Sequence, residues 1–331
     1  MKTFQTIIGI DVAKDTLAIS IYNGREHQLK EFNYSKRDIR KELITPFKKI
    51  KESIVFVMES TGIYHTRLAH WLCEEGFIIS VVNPLIIKRY GQMHLMRVKT
   101  DKADAKMIAE YGYEFQHKIT FFTPKEEEQI EIDNLVKAVD DLQNQRTITN
   151  NQYLALKKLA NYSNNALNSY KRHLKFIKDE IKRLEILLKL LLETKFKEEY
   201  ELLNSIPGIG LKVSSMIIAI FNGFKNFSNA KQACNFAGIA PSPFESGTSV
   251  KGRGSISKKG NTFARKMLFM GALTATIYNP MIKEQYQRLI LNGKCKMVAM
   301  IAAANKLLRQ AFGVLKSRKP FDMNYKLRCN I

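Results

Sequence analysis

Residues 126–199 contain neither glycine nor proline. A stretch that long without a breaker is helical over most of its course, because nothing in it interrupts the backbone ladder. Within it Leu167, Tyr170, Leu174, Ile177, Ile181, Leu184, Leu188 and Leu191 recur at alternating steps of three and four. That spacing is the seam of a coiled coil. The same register runs back, less cleanly, through Leu156, Tyr153, Leu142, Val139 and Leu135. Two packings satisfy the pattern: a pair of helices in one bundle, or a coiled coil that dimerises. Either way a helical middle, residues 126–200, separates two regions of different character, residues 1–125 and 201–331.

The first region reads as α/β. Residues 6–22 form two β-rich runs around a polar break at Lys14 and Asp15, and Asn23-Gly24 is a hairpin turn signal. Residues 53–58 (Ser-Ile-Val-Phe-Val-Met) are a continuous β-branched apolar run, as in a strand covered on both faces. A helical pattern over 64–75 stops at Gly76, and a second buried strand follows over 77–82. Strand, helix, strand is the order of a partly parallel sheet. Residues 102–113 are helical again.

The acids in this region stand in unusual places. Asp11 interrupts the first apolar strand, where a carboxylate is costly unless it is paired or bound to a metal. Glu59 ends the second, at the carboxyl edge where α/β sheets place ligand chemistry. Asp101 and Asp104 are three apart on a predicted helix and so share a face. Like charges ~4 Å apart cost about 4 kcal/mol per pair at an effective dielectric of 20. Four converging carboxylates therefore call for divalent cations, and oxygen-only donors suit Mg²⁺ or Mn²⁺, with two ions favouring phosphodiester chemistry. Taken singly, Asp101 also reads as a helix N-cap and Asp104 as a first-turn acid.

Charge points the same way. Fifty-three Lys+Arg against 31 Asp+Glu leave a formal +22. Such an excess favours a polyanion as partner, nucleic acid before a membrane surface. No apolar run approaches the roughly 20 residues of a bilayer span. The first six residues lack the apolar region of a signal peptide. Cys73, Cys234, Cys295 and Cys329 are scattered singly, which argues against a disulfide scaffold or zinc site and fits a reducing cytoplasm.

Ile8-Gly-Ile-Asp11-Val-Ala-Lys, Met58-Glu59-Ser-Thr-Gly-Ile-Tyr64 and Lys99-Thr-Asp101-Lys-Ala-Asp104-Ala resemble the amino-terminal domain of the DEDD transposases, the insertion-sequence family one-ten, related to Piv-type DNA invertases. The resemblance implies a RuvC-like domain with an RNase H fold. It also implies that Asp11, Glu59, Asp101 and Asp104 form a metal-binding catalytic tetrad.

After residue 201 short helices alternate with Gly- and Ser-rich loops, and residues 262–316 are helical and rich in Ala, Met and Leu. This gives a mainly α carboxy-terminal domain. Ile206-Pro207-Gly208-Ile209-Gly210 reads as a helix-hairpin-helix turn, whose Gly208 and Gly210 would let backbone N–H groups reach a phosphate, or as a plain helix–helix turn. The loop over 238–260 and the helix it feeds carry Lys251, Arg253, Lys258, Lys259, Arg265 and Lys266, a surface suited to phosphates. This stretch resembles the carboxy-terminal domain of the same family. There a serine before a glycine is the nucleophile on a DNA phosphodiester, and the matching residue is Ser246.

The resemblance further implies donor and target DNA as substrates, dimers and tetramers joined through the coiled coil, and guidance by a structured non-coding bridge RNA. It also implies a cytoplasmic, nucleoid-associated setting with no membrane partner. Two other readings remain open on the residues alone. One is a metal-dependent Holliday-junction resolvase or nuclease that uses the carboxylates and water. The other is a non-catalytic nucleic-acid scaffold.

Overall fold

The computed structural model describes residues 3–60, 64–95, 100–242, 245–246, 250–251, 255–256 and 260–323. It forms two compact units, Met1–Lys125 and Glu126–Ile331.

The first unit is built on one sheet. Its strands are β1 (Thr6–Val12), β2 (Thr16–Tyr22), β3 (His27–Asn33), β4 (Ile54–Glu59) and β5 (Ile79–Val82), in the order β3-β2-β1-β4-β5. The first three are an antiparallel meander, while β4 and β5 run parallel to β1. Side chains alternate between the two faces. Ile8, Ile10, Leu17, Ile19, Phe56 and Met58 point into one core, closed by α1 (Lys36–Ile39), a π-helical turn (Arg40–Ile44) and α2 (Tyr64–Glu74). Ile7, Val55 and Val57 point the other way, under α3 (Pro84–Met93) and α4 (Asp101–Glu114).

Gly9 sets how closely α4 approaches β1. A Cβ there would meet the Ala105 carbonyl oxygen and the Ala109 nitrogen and lie 2.8 Å from the Ala109 Cα, all of them helix backbone that cannot turn aside. Further along α4, Gly112 lies against Ile7 and Val57. The helix therefore runs antiparallel to β1, and its first turn lies toward the strand's carboxyl end. Gly9→Ala is expected to destabilise the unit by about 1–3 kcal/mol, the usual cost of overpacking. Thermal melts of the full chain check the effect.

The second unit is helical. Its long helices α5 (Glu127–Lys157) and α6 (Asn164–Lys195) pack on each other, joined by the turn over 158–163. Within the seam, Leu167, Ile177, Ile181 and Leu188 are buried. Ile177 and Ile181 pack with Val139 of α5, so this part of the seam is used within the chain. The base of the pair (Ile132, Val136, Leu188 and Leu192) joins a core made with α7 (Lys197–Asn204), α8 (Leu211–Ile220), α9 (Ala230–Ala237), α10 (Thr262–Tyr278), α11 (Pro280–Leu291) and α12 (Lys296–Ser317). Between α9 and α10 lie two small ladders: β6 (Pro241–Ser242) with β9 (Ser255–Ile256), and β7 (Glu245–Ser246) with β8 (Val250–Lys251).

At 22 residues, α12 is long and apolar enough to cross a membrane by length and composition. This corrects the expectation that no segment approaches that length. Its apolar face is the centre of the second core, where Ala303, Ala304, Leu307, Leu308 and Ala311 are buried. Cys73, Cys234 and Cys295 are free thiols, and Cys329 lies outside the described residues.

Candidate active site

The strand register explains how the first two acids meet. In the parallel ladder Ile10 pairs with Met58, and the next residue on each strand is Asp11 and Glu59. Adjacent strands lie about 4.8 Å apart and equivalent residues share a face. Both acids are one pleat beyond Gly9 and Val57, on the face that α4 covers. On its other side Asp11 is paired with Ala18, which is buried.

The other two acids arrive on α4. Its N-cap is Thr100, whose hydroxyl accepts from the Ala103 N–H at 3.2 Å. Asp101 is thereby released from capping and becomes the first helical residue, with Asp104 one turn on. The fold of β1, β4 and α4 thus brings Asp11, Glu59, Asp101 and Asp104 to one end of the sheet. The field at Asp11 registers this. Its pKa is pushed from 3.8 up to about 6, first by burial and then by the charges of Asp101, Asp104 and Glu59, against the pull of a hydrogen bond from the Val12 backbone. Among the described residues no three His, Cys, Asp or Glu side chains stand close enough to hold a metal ion as placed. The four acids share a field rather than a closed coordination shell, a spacing that mutual repulsion favours. By donor chemistry, four carboxylates suit a hard, oxygen-seeking divalent cation.

A second polar group on the same face has no motif behind it. Ser20 Oγ and His27 Nδ1 are 2.9 Å apart, and His27 Nε2 lies 3.1 Å from Glu110 Oε1 on α4. Ser20 is wholly buried, so this chain is a tether between the meander and α4, not a nucleophile. Burial pulls His27 below its ordinary pKa, with Glu110 pulling the other way.

In the second unit Ser246 lies in β7, paired with Val250, and Lys251 lies in β8. The loop that carries them is closed at its base by Gly238 and Gly260, whose backbones touch, and by the Asn261 N–H donating to the Phe236 carbonyl at 2.8 Å. Arg253, Lys258 and Lys259 lie outside the described residues. Arg265 Nη1 is buried beside Gly238, with no hydrogen-bond acceptor. Lys266 is engaged within the protein: its ammonium donates to both Asp140 oxygens at 2.7 and 2.8 Å and to Asn144 at 3.2 Å, tying α10 to α5. Gly208 is packed against Gly271 and Ala275 of α10, in a turn held by Asn279 donating to the Pro207 carbonyl. Gly210, at the start of α8, is exposed. The turn is thus a helix-packing element at Gly208 and open only at Gly210.

Known proteins align with both units. Residues 8–162 match the DEDD transposase model of the IS110 type, and residues 200–287 match a model described as the transposase IS116/IS110/IS902 family. The pilin gene-inverting protein of Moraxella lacunata is 29% identical over 96% of this chain and 98% of its own length. The transposase for insertion sequence element IS1328 of Yersinia enterocolitica is 24% identical over 93% of this chain and 96% of its own. The transposase for IS1111A of Coxiella burnetii is 25% identical over 91% and 86%. With the transposase models falling on the carboxylate-bearing unit and on the serine-loop region alike, the chain belongs to the IS110 family of transposases and is a DNA transposase/recombinase.

Proposed function

We propose that the chain cuts and rejoins DNA strands with two sets of residues: the carboxylates Asp11, Glu59, Asp101 and Asp104, and the nucleophile Ser246. The observation that carries this reading is the placement of the four acids at one end of the sheet by the β1–β4 register and the first turn of α4, with the raised pKa of Asp11 in keeping with it. Supporting it, the sheet order β3-β2-β1-β4-β5, with an antiparallel meander and two parallel strands, is the arrangement expected of an RNase H-like domain.

In this reading the four carboxylates hold Mg²⁺ or Mn²⁺, two ions by preference. When bound, the cations would neutralise the acids and supply positive charge to a phosphate in transfer. Ser246 Oγ attacks the scissile phosphorus, an O–P bond forms, and a deoxyribose hydroxyl departs with a proton. The phosphoserine link conserves the bond energy, so a different strand end can be joined by the reverse displacement without a nucleotide cofactor. Exposed backbone-directed cations would hold donor and target DNA and a structured guide RNA. Exposed apolar residues of α6, among them Ile186 and Leu190, would contribute to assembly of dimers and tetramers. The Moraxella relatives are named for inverting a gene, and inversion is the outcome to test beside insertion.

The test is ion binding. At an ion concentration one hundred times Kd, Mg²⁺ or Mn²⁺ should stabilise the chain by about 2.7 kcal/mol. That gain should vanish in Asp11→Ala and in Glu59→Ala. Stabilisation of equal size in those variants would place the ion elsewhere and reject the assignment.

A further inference from the structure

On the sheet face opposite α4, the first unit carries a groove of about 840 Å³ between the α1 segment and α2. One wall is basic. Lys36, Arg37, Arg40 and Lys41 fall at helical spacing on one exposed face, opposite the buried Ile39, Leu43 and Ile44. Lys41 stands 3.5 Å from Glu42, whereas among the described residues no carboxylate lies within ion-pair distance of Lys36, Arg37 or Arg40. The floor is Trp71, half-buried against the core. Arg67 lies 4.4 Å from the Trp71 ring centroid, and the Lys36 ammonium 5.7 Å from it. Both cations are exposed. The opposite lip bears Glu74 and Glu75.

We infer that this groove binds an unpaired stretch of nucleic acid, one base stacked on the Trp71–Arg67 platform and the flanking phosphates on Arg37 and Arg40. Aromatic rings and guanidinium planes are the surfaces on which unpaired bases stack, and a row of cations beside them follows the backbone. A duplex offers no free base face to such a platform. Glu74 and Glu75 can accept from exocyclic amino groups on the base, which a purely basic surface could not do. The groove lies on the other side of the sheet from the carboxylates, so it is a separate site and goes beyond the strand-joining reading.

Trp71 is the sole tryptophan of the chain, so fluorescence excited selectively at tryptophan, beyond the absorption of the tyrosines, reports this groove. The full chain is titrated in EDTA, which keeps ion binding at the carboxylates out of the signal. The probes are a twelve-nucleotide single-stranded RNA, the DNA of the same sequence, and the matching DNA duplex. Either single strand should quench Trp71 at saturation, and the one that binds more tightly identifies the natural source. Arg37→Gln/Arg40→Gln should weaken that binding at least about tenfold and lower the salt slope by about 1.4, at about 0.7 per phosphate contact on a single strand. Arg37→Lys/Arg40→Lys should keep most of the affinity, which separates lost charge from lost folding. Equal quenching by the duplex, unchanged affinity in the Gln pair, or absence of quenching by either single strand would overturn the proposal. None of those results would touch the carboxylate assignment.

Discussion

Asp11→Asn should abolish strand cleavage and, in the ion-free protein, raise stability. Loss of one carboxylate from a metal-assisted site removes several kcal/mol of transition-state stabilisation, which at 1.36 kcal/mol per decade is about 10³-fold in rate. The gain in stability follows from the pKa. The folded chain holds the Asp11 proton up to about pH 6, whereas the unfolded chain releases it near 3.8. Between those values the folded state binds more protons, so stability falls as pH rises through the window and levels off above it. The full shift corresponds to about 3 kcal/mol, and because the side chain is partly exposed, solvent screening reduces this to about 1–2 kcal/mol. Asparagine has no charge to bury. The variant should melt higher than the wild type at pH 7 in EDTA, and the difference should close at pH 3.5. Urea melts at the two pH values measure it. A variant no more stable than wild type at pH 7 would show that Asp11 bears no such burden.

Ser246→Ala should leave DNA binding intact and reduce strand transfer by at least about 10⁴-fold, the scale on which nucleophile removal acts in covalent catalysis. Ser246→Cys keeps a nucleophile and should retain a trace of activity. The wild type should also leave DNA covalently attached to the protein on a denaturing gel, and the alanine variant should not. If Ser246→Ala still cleaves strands at the wild-type rate without a covalent link to the protein, water is the nucleophile and the chain works as a resolvase-like nuclease with the carboxylates alone.

The elements of the first unit could be read because their signals are local. The apolar runs that become β1, β2 and β4, the Gly76 stop after α2, and the acids of α4 all report themselves in short windows. The edge strand β3 did not, beyond its turn signal. Its residues His27–Asn33 are mostly exposed and carry no apolar alternation, so only pairing with β2 defines it. Gly9 gave no warning for a related reason: its role depends on which helix crosses it, a long-range fact. The same holds for Lys266, whose sequence context is that of a phosphate contact and whose partner Asp140 lies 126 residues away. The capping of α4 was ambiguous in sequence, since Thr100 and Asp101 both suit an N-cap. The helix settles on Thr100, which frees the acid. The seam of α6 was readable as a period, but a period does not name its partner, and within the chain that partner is α5.

The central claim is that Asp11, Glu59, Asp101 and Asp104 act as one electrostatic site. The most direct measurement is a carboxyl ¹³C NMR titration of Asp11 in the ion-free chain. The wild type should titrate near pH 6, and the midpoint should fall in Asp104→Asn and fall further in Asp101→Asn/Asp104→Asn, while staying above the ordinary range because burial remains. An Asp11 that titrates near 3.8, or that is indifferent to removal of the α4 acids, would contradict the account.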